Sequence, residues 1–273
     1  MRPICFYSDF GSVDDFAGTC RAVIARVAPD VRVIDITHGL RQRDVRGGAV
    51  VLRNTLPYLP DGAVNLAVVD PGVGSQRRAV VLRSADGRLF VGPDNGLLMP
   101  AAEAAGGVME AIQITNSGLW LEPLSKTFHG RDIFAPVAAR LASGLAPRAA
   151  GEALDPASLV RLSLPAPRRT GEGVVATVVL VDSFGNAALN LDGAELEGMA
   201  TGEAIQVVGE RASGLVRIAG TFGEVAAGEL VVLVDGYGQA AVAVNGGSAA
   251  ERLHLTTGVE VWLGRPAGDA SPG

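Results

Sequence analysis

Lysine is almost missing from this chain of 273 residues, because Lys126 is the single lysine among 23 basic residues. No Gly-Lys-Ser/Thr sequence is therefore present, which excludes a phosphate-binding loop of the Walker type. An enzyme that forms a Schiff base would have to use Lys126 itself. We ascribe the excess of arginine to GC-rich codons, so composition alone gives Lys126 no role.

Cysteine and long apolar runs are also scarce. Cys5 and Cys20 are the two cysteines, and no Cys-x-x-Cys spacing occurs, so we expect buried hydrophobic residues rather than a disulfide framework, a zinc site or a redox pair. No run of about eighteen apolar residues could span a membrane. An acidic residue, Asp9, interrupts the N-terminus before a signal-like stretch develops. We therefore expect a soluble, cytoplasmic protein that does not bind membranes.

Positive charge is in deficit. The 23 basic and 29 acidic residues give a net charge of −6, and the isoelectric point is near 5.1. This balance argues against a nucleic-acid partner, which normally meets a basic surface. The length suggests about two domains of roughly 150 residues. The mean hydropathy of +0.29 predicts a large core, with buried subunit contacts as well.

The first 145 residues alternate between strand-like and helix-like patterns. One helix is predicted after Ser12, which we expect to cap it, with Asp14 and Asp15 in its first turn. Further helices are predicted from Asp44, over Asn95–Ala105 and over Ile133–Ala142. The predicted strands are Ile4–Tyr7, Val31–Ile36, Ala63–Val69, Ala79–Leu82, Leu89–Val91 and Met109–Ile114. Such alternation is typical of a mainly parallel sheet with helices on both faces.

The second part of the chain has a different pattern. Residues 145–172 contain several prolines and no sustained periodicity, so we interpret them as a linker. Short apolar runs separated by glycines then predict a small barrel or sandwich. These runs are Val174–Val181, Ala187–Leu191, Ala204–Val208, Leu215–Ile218, Leu230–Val234, Ala240–Val244 and Val259–Leu263. We expect an α/β N-terminal domain with a mainly parallel sheet at residues 1–165, and a smaller β-rich, barrel-like C-terminal domain at residues 166–273.

Acidic residues follow the predicted strands, at the edge where open α/β sheets bind ligands. Asp9 could accept hydrogen bonds from ribose hydroxyls, or it could cap the next loop. Asp70 opens the turn Asp70-Pro71-Gly72-Val73-Gly74-Ser75-Gln76-Arg77-Arg78, whose glycines permit a close approach to a ligand. The turn lacks the third glycine of a dinucleotide fingerprint. A tight β-turn with a surface ion pair is the alternative.

Histidine is rare, and each of the three has its own interpretation. His129 precedes a predicted helix and could act as an acid or base, because its ordinary pKa lies near 6.5; a structural role is the alternative. His129 and Asp132 could together bind a metal, but no further ligands support such a site, so no metal is predicted. His38 and His254 are interpreted as structural.

A third candidate group lies in the β-rich part, where Asp182, Phe184 and Asn186 fall within one predicted turn. An aromatic ring can stack on a purine, and an amide can bind the edge of a purine or a carboxylate. The alternative is a β-bulge with a turn asparagine.

Taken together, these motifs are similar in order to those of one family over nearly the whole chain. The sequence resembles the S-adenosylmethionine hydroxide adenosyltransferases, which are relatives of fluorinating and chlorinating enzymes. The matching segments are Ser8-Asp9-Phe10-Gly11 with Asp14-Asp15, Asp35-Ile36-Thr37-His38, Val69-Asp70-Pro71-Gly72-Val73-Gly74, Gly92-Pro93-Asp94-Asn95-Gly96, Thr127-Phe128-His129-Gly130-Arg131-Asp132-Ile133-Phe134, Asp182-Ser183-Phe184-Gly185-Asn186 and, more weakly, Tyr237-Gly238 with Ala243-Val244-Asn245.

The resemblance implies a homotrimer whose substrate lies between the N-terminal domain of one subunit and the C-terminal domain of the next. It implies that Asp9 holds the ribose diol, and that Thr127 and Phe128 line the ribose and sulfonium. The expected contacts to the rest of the substrate are Asp182 and Asn186 with the methionine amino and carboxylate groups, Phe184 nearby, and Tyr237 and Asn245 with the adenine or the methionine.

The hydrolytic branch of the family has an Asp-Arg-His set, which corresponds to Asp70, Arg77 and His129. The halogenating enzymes have a tyrosine in place of His129 and lack the Asp/Arg pair, and the fluorinating type has a serine in place of Gly130. Arg43 replaces an aromatic residue of the fluorinating type. The resemblance therefore implies a hydrolase.

In that reaction, water or hydroxide displaces L-methionine at C5′ of S-adenosyl-L-methionine and adenosine is formed. Arg77 would stabilise the developing hydroxide, Asp70 would orient Arg77 and the water, and His129 would accept the proton. S-adenosylmethionine is the small-molecule substrate, and no separate cofactor or metal is expected. The alternatives are a chlorinase-like halogenase of the same fold and a non-catalytic sensor of S-adenosylmethionine or adenosine.

Overall fold

The computed structural model describes residues 1–163, 166–171, 173–197 and 204–265. The chain divides into two compact units, Met1–Leu162 and Ser163–Gly273, which are called unit 1 and unit 2 below. The sequence predicts a boundary between residues 165 and 166, and Leu164 and Pro165 lie outside the described residues. Each unit has its own buried apolar core.

Unit 1, all of which is described, is built on a seven-stranded sheet in the order β2-β1-β3-β5-β4-β6-β7. The pairings of β1 with β2, β1 with β3 and β3 with β5 are parallel, and the remaining three are antiparallel. The expected α/β class is confirmed, with a sheet that starts parallel and ends antiparallel. The strands are β1 Ile4–Ser8, β2 Val33–Thr37, β3 Val64–Val68, β4 Ala79–Ser84, β5 Leu89–Pro93, β6 Val108–Ile114 and β7 Gly151–Leu154.

Helices cover both faces of this sheet, as the alternating pattern predicts. They are α1 Phe16–Val27, α2 Val45–Thr55, α3 Met99–Ala104 and α4 Ala135–Ala142. Side chains of β1 alternate between the two faces: Ile4 and Phe6 belong to the core that α1 and α4 cover, and Cys5 and Tyr7 to the core that α2 and α3 cover. All four are at most 1% exposed, and burial of such a side chain is worth roughly 1.5–3 kcal/mol.

The start of α1 differs from the prediction. Helix α1 begins at Phe16 with Asp15 at its N-cap, so the prediction that Ser12 caps a helix containing Asp14 and Asp15 is wrong. The Asp15 side chain accepts a hydrogen bond from the Thr19 hydroxyl at 2.8 Å instead of capping a backbone amide. Phe16, the first residue of the helix, places the centre of its ring 6.0 Å from that of Phe10. The prediction that Asp44 begins α2 is confirmed, because its side chain accepts from the Gly47 amide at 2.8 Å.

The predicted linker is partly a strand of the first sheet. Strand β7 pairs antiparallel with β6, from Ala111 opposite Leu154 to Ile114 opposite Gly151. Glu152 and Ala153 of this strand are exposed, so no buried apolar face alternates along it. The edge strand therefore leaves no periodicity in the sequence, and the prolines beside it dominate the pattern.

The described part of unit 2 forms a closed barrel of seven strands, which bears out the barrel-like prediction. The order around the barrel is β10-β14-β13-β12-β11-β15-β9, and β9 also pairs with β10 to close it. Strand β8 pairs antiparallel with the first residues of β9. The strands are β8 Arg168–Thr170, β9 Gly173–Val181, β10 Ala187–Asp192, β11 Ala204–Val208, β12 Ser213–Ile218, β13 Leu230–Val234, β14 Gln239–Val244 and β15 Glu260–Gly264.

Two short helices lie between successive strands of the barrel: α5 Gly193–Glu197 follows β10, and α6 Ala249–Leu253 follows β14. Neither was predicted, because one and a half turns are too short for a 3.6-residue period to be recognised. None of the helices in the described part of the chain is long and apolar enough to cross a membrane. Burial raises the pKa of the Cys5 thiol to about 11 and that of the Cys20 thiol to about 12, so both cysteines are buried, protonated residues, as expected.

Candidate active site

Two neighbouring strands of unit 1 deliver the acidic residues that the sequence singles out. Strands β1 and β3 are parallel partners, with Ser8 opposite Val68. Asp9 follows β1 directly, and Asp70 comes two residues after β3. Because the carboxyl ends of parallel strands meet at one edge, both carboxylates emerge from the same side of the sheet.

Asp70, Arg77 and His129 form a continuous hydrogen-bonded set. Arg77 Nε donates to Asp70 Oδ1 at 2.9 Å and to Oδ2 at 3.0 Å, and Arg77 Nη2 also donates to Oδ2. The same Nη2 lies 3.0 Å from His129 Nδ1. The Asp70 and Arg77 side chains are only 6% and 10% exposed, so solvent screens their charge-assisted hydrogen bonds less than it would at the surface.

The hydrogen bond to Arg77 fixes the state of the His129 ring. A guanidinium carries donors alone, so His129 Nδ1 accepts and the hydrogen of the neutral ring is assigned to Nε2. Burial lowers the pKa of His129 below its usual value, and the charge of Arg77 lowers it further, while Asp70 and Asp132 act in the opposite direction. The imidazole is therefore neutral at pH 7.

Phe134 completes the surroundings of the guanidinium. The Arg77 guanidinium carbon lies 5.1 Å from the centre of the Phe134 ring, which is fully buried. Residues Gly130–Phe134 form a π-helical turn ahead of α4. The sequence reasoning missed Phe134 as a site residue, because a regular helix would place positions 129 and 134 on different faces. The wider π-turn lets both residues contact Arg77.

Gly74 explains why the turn between Asp70 and Arg77 is rich in glycine. It has a φ of +75°, and a Cβ built on it would lie 2.2 Å from the carbonyl oxygen of Lys126. Any other residue would push the Asp70–Arg78 turn away from the segment that carries His129. The glycine thus serves the approach of two backbone segments. Lys126 takes part in this contact through its backbone carbonyl. Its side chain does not belong to the set of Asp70, Arg77 and His129.

Thr127 and Phe128 lie on the same loop as His129, and Asp132 holds that loop. Asp132 is 1% exposed, and its Oδ2 accepts from the Ser125 amide at 2.8 Å. The Ser125 hydroxyl in turn accepts from the Thr127 amide at 3.1 Å. Anchoring from a buried carboxylate gives the loop from Ser125 to His129 a defined course.

An aromatic cluster joins this loop to the residues after β1. The Phe128 ring centre lies 5.8 Å from that of Phe10 and 5.1 Å from that of Phe16. A Cβ on Gly130 would lie 2.9 Å from the Phe10 ring. The Phe10 ring therefore occupies the space that a side chain at position 130 would need.

Asp9 is held by one of its two carboxylate oxygens. Its Oδ2 accepts from the Arg43 amide at 2.9 Å, whereas its Oδ1 has no hydrogen-bond partner among the residues that the structure describes. Arg43 adopts a φ of +63°, a left-handed conformation that costs a non-glycine residue about 1–2 kcal/mol. Arg43 thus directs its backbone amide at Asp9. A free carboxylate oxygen can accept from a hydroxyl ligand.

In unit 2, Asp182, Phe184 and Asn186 form a tight turn. Asp182 Oδ1 accepts from the amides of Phe184 and Asn186, each at 2.9 Å, and Asp182 Oδ2 accepts from the Asn186 side-chain amide at 2.8 Å. Gly185, with a φ of +82°, packs so closely on Ser248 that a Cβ would lie 2.0 Å from its hydroxyl. Phe184 is 77% exposed at the tip of this turn. The arrangement presents an aromatic ring beside a carboxylate and an amide.

Tyr237 lies in the turn before β14, and Asn245 directly follows β14. The Tyr237 amide donates to Asp235 Oδ1 at 2.8 Å, and the tyrosine is half exposed. The Asn245 side-chain amide donates to the Val225 carbonyl at 2.8 Å. These contacts give Asn245 a role in holding adjoining segments of the barrel.

The structure brings together the unit 1 residues that the sequence proposed. Arg77 contacts both Asp70 and His129, and Phe128 contacts Phe10 next to Asp9. The unit 2 residues lie at three turns of the barrel. Within the described ranges, no group of three or more His, Cys, Asp or Glu side chains lies close enough together to hold a metal ion.

Family models match both parts of the chain. Residues 4–151 match the SAM hydroxide adenosyltransferase N-terminal domain, and residues 176–262 match the C-terminal domain of the same family. Together they include all eleven residues that the sequence analysis selected.

Similar proteins point to the same family. A protein of Salinispora tropica named (R)-S-adenosyl-L-methionine hydrolase is 52% identical over 93% of this chain and 95% of its own length. A Thermus thermophilus protein of the same name is 42% identical over 96% of this chain and 100% of its length. The crystal structure of an uncharacterized conserved protein from Thermotoga maritima superposes with a TM-score of 0.88 at 37% identity, covering 96% of this chain and 100% of the other. The chain belongs to the SAM hydroxide adenosyltransferase family.

Proposed function

We propose that this protein is an S-adenosyl-L-methionine hydrolase, an enzyme that uses water to form adenosine and L-methionine. The observation that carries the proposal is the set of Asp70, Arg77 and His129, held together by hydrogen bonds in a member of this family. The relatives at 42–52% identity bear the name of this activity. Their names specify the (R) form of the substrate, and we propose the same form here.

The reaction is a displacement at C5′ of the ribose. The oxygen of water forms a bond to C5′, the C5′–S bond breaks, and its electron pair leaves with methionine as a neutral thioether. The sulfonium is already a good leaving group, so the enzyme has to align and activate the nucleophile. Alignment opposite the C–S bond can supply several kcal/mol of the barrier.

Arg77 is proposed to act on the water with the part of its guanidinium that Asp70 and His129 leave open. Its Nε and Nη2 donate to those two residues, and its Nη1 forms no hydrogen bond with any described residue. A guanidinium stays charged at every working pH, so Nη1 can stabilise developing hydroxide without titrating. Asp70 fixes the plane of the guanidinium and thereby the direction of Nη1.

His129 is proposed to accept the proton of the water. General base assistance is typically worth about 10²–10⁴ in rate. Because Nδ1 accepts from Arg77, the ring can take a proton there, or at Nε2 after a change of tautomer. Both routes alter the hydrogen bond to Arg77, so proton uptake by His129 is coupled to the position of that guanidinium.

The remaining residues are proposed to bind the substrate. Asp9 accepts from the ribose diol through its free Oδ1, and Thr127 and Phe128 line the ribose and sulfonium. In unit 2, the proposed contacts are Asp182 and Asn186 with the methionine amino and carboxylate groups, Phe184 beside them, and Tyr237 and Asn245 with the adenine or the methionine. We propose that the protein works in the cytoplasm. We also propose that it is a homotrimer with its sites at the subunit interfaces, as the family resemblance implies.

We propose that the reaction needs neither a metal nor a separate cofactor. The argument comes from the chemistry of the substrate: a sulfonium leaves as a neutral thioether, so no Lewis acid has to stabilise the leaving group. The three proposed carboxylates, Asp9, Asp70 and Asp182, provide negative charge for a cationic substrate.

A product assay tests the proposal. The protein is incubated with each sulfonium epimer of S-adenosyl-L-methionine, with and without chloride or fluoride, and the products are separated by chromatography. We expect the (R) form to give adenosine and methionine in equal amounts, and we expect halide to change neither product. Formation of 5′-chloroadenosine in chloride would establish a halogenase instead, and binding without any turnover would establish a sensor.

A further inference from the structure

His38 lies between the two segments that meet at Asp9. It follows β2, and it contacts the loop Ser8–Gly11, called the Asp9 loop below, at two points. The Ser8 hydroxyl lies 2.7 Å from His38 Nδ1, and the Gly11 amide donates to the His38 carbonyl at 2.7 Å. The imidazole also packs edge-on against the buried Phe6 ring, with 4.6 Å between the ring centres. Both its backbone and its side chain therefore touch the Asp9 loop.

The hydrogen bonds around His38 have a definite direction. Its Nε2 lies 3.0 Å from Asp35 Oδ1, and a carboxylate accepts, so Nε2 donates. In the tautomer that donates from Nε2 alone, Nδ1 accepts from the Ser8 hydroxyl, whose oxygen accepts from the Phe10 amide at 3.3 Å. Arg21 donates to the other oxygen of Asp35 at 2.6 Å. A chain of hydrogen bonds thus runs from Arg21 through Asp35, His38 and Ser8. It ends at the amide of Phe10, the residue after Asp9.

This arrangement has the residue types of a Ser-His-Asp hydrolase, but its geometry excludes that chemistry. Ser8 is fully buried, so no substrate can reach its hydroxyl. The hydroxyl oxygen is also occupied by the Phe10 amide. Asp35, His38 and Ser8 therefore hold the backbone beside them in place. Asp9 lies in that stretch of backbone and has an open ligand-binding atom, Oδ1.

The same segment of chain holds Asp9 from its other side. Arg43, five residues beyond His38, donates its amide to Asp9 Oδ2, and it adopts a left-handed φ to do so. Ser8 and Gly11 on either side of Asp9, and one oxygen of Asp9 itself, are thus all fixed by residues 38–43. The other oxygen, Oδ1, is the one left for a ligand.

We propose that His38 is a positioning residue for Asp9, acting through the Ser8 hydroxyl, and that it sets the affinity of the site for a ribose cis-diol. The inference rests on the proposed function, in which Asp9 binds that diol. A carboxylate accepts two hydroxyl donors well only when its direction is fixed before binding. His38 supplies that restraint without touching the ligand.

The test compares two nucleosides that differ in the diol alone, adenosine and 2′,3′-dideoxyadenosine, by calorimetric titration of the full chain. We expect the wild type to prefer adenosine. In His38→Ala the affinity for adenosine should fall by about tenfold, since a hydrogen-bonded network that orients a charged acceptor is lost, while the affinity for dideoxyadenosine stays within about twofold. In Asp9→Ala the preference should vanish, and adding His38→Ala to it should cause no further loss.

Two further variants separate positioning from a general loss of structure. Ser8→Ala removes one oxygen from the relay and should reproduce the diol-specific loss even if His38→Ala folds poorly. His38→Asn should restore part of the affinity, because an amide can still pair with Ser8. His254→Asn is the matched control: this exposed histidine ends α6 in the left-handed conformation that asparagine tolerates, and its variant should bind both nucleosides as the wild type does.

The outcomes distinguish the two proposals. If the wild type prefers adenosine but His38→Ala and Ser8→Ala weaken both nucleosides equally, or if the losses in the double variant add up, the role of His38 is refuted and the hydrolase proposal stands. If the wild type has no preference for the diol, the role of Asp9 is refuted, and that of His38 with it. The product assay on S-adenosylmethionine decides the activity independently of either result.

Discussion

In unit 1, Arg77 is hydrogen-bonded to both Asp70 and His129, whereas in unit 2 Asp182 and Asn186 use their hydrogen bonds on the turn that carries them. The side chains of Asp70 and Arg77 are at most 10% exposed, but Phe184 is 77% exposed. Asp70 and Asp182 both follow a strand in the sequence. The groups to which they belong nevertheless differ in burial and in hydrogen bonding.

Under the proposed function, the difference separates residues proposed to do chemistry from residues proposed to bind. Charged residues that activate a water molecule stabilise the transition state better when they are buried and their donors are fixed. A low dielectric strengthens each electrostatic contact, and the donors do not have to reorganise during the reaction. A group that recognises one end of a ligand can rest on a self-contained turn and remain open. Variants of the two groups should therefore change different kinetic constants.

Removal of the Arg77 charge should have the largest effect. Arg77→Met is expected to lower kcat by about 10²–10³, the usual loss for one preorganised donor at a reacting oxygen, with little change in KM. Steady-state release of adenosine from S-adenosylmethionine measures both constants. Arg148→Met removes an arginine whose side chain is 84% exposed and should be indistinguishable from the wild type. Normal turnover in Arg77→Met would exclude Arg77 from the mechanism.

Removal of the Asp182 charge should act on binding. Asp182→Asn keeps the Oδ1 that accepts from the two turn amides but removes the negative charge and the Oδ2 that accepts from the Asn186 side chain. KM should therefore rise by about tenfold, the value of one lost charge-assisted contact, with kcat nearly unchanged. Asp192→Asn is the control, because Asp192 Oδ1 also accepts a turn amide in unit 2, that of Ala194, and has no proposed ligand. An unchanged KM in Asp182→Asn would remove the substrate contact and leave the turn as the function of Asp182.

The pKa of His129 should report the electrostatics of the catalytic set. Nuclear magnetic resonance titration of the ring should give a pKa below its usual value in the wild type, a higher pKa in Arg77→Met and a lower one in Asp70→Asn, following the opposite signs of the two charges. The activity that requires the neutral ring should then persist below pH 6.5 and be lost as the pH falls through the lowered pKa. A pKa that does not move in either variant would contradict the assignment of this set as one electrostatic unit.

The same shift affects stability in a defined direction. Because the pKa of His129 is lower in the folded chain than in the unfolded chain, its contribution to the free energy of unfolding is complete above the unfolded value and decreases as the pH falls through the folded value. The pH dependence of chemical denaturation in wild type and His129→Gln isolates this contribution.

The smallest effect on stability is expected at the exposed ring of unit 2. Phe184→Ala should change the free energy of unfolding by no more than about 0.5 kcal/mol, since little apolar surface leaves the core, yet it should raise KM. Phe222→Ala, at a partly exposed phenylalanine of the same unit, provides the comparison and should leave KM unchanged. A Phe184 variant that loses stability but keeps its KM would make the ring a structural element.

Much of the fold follows from local pattern. Strand limits such as Ala204–Val208 and Leu230–Val234 coincide with the predicted ones, because short, mainly apolar runs between glycines leave few alternatives. Strand β7 escaped prediction because its exposed residues carry no apolar period. The true start of α1 escaped because no side chain caps it, so the expected capping signal at Ser12 pointed to the wrong residue.

The candidate site shows the same division. Asp9, Asp70 and His129 could be selected from their places after strands and before a helix, and Arg77 from the turn it shares with Asp70. The ring of Phe134 could not, since the π-turn that brings it to Arg77 has no signature in residue spacing. Nor could the relay through Ser8, His38 and Asp35, because it depends on the pairing of β1 with β2, which only the folded chain reveals.

The central claim is that water attacks C5′ of S-adenosylmethionine, and isotopic labelling tests it most directly. The reaction is run in water enriched in oxygen-18, and the adenosine and methionine are analysed by mass spectrometry with fragmentation of the nucleoside. We predict one labelled oxygen at the 5′-hydroxyl of adenosine and none in methionine. Unlabelled adenosine, or label in another product, would contradict displacement by water at that carbon.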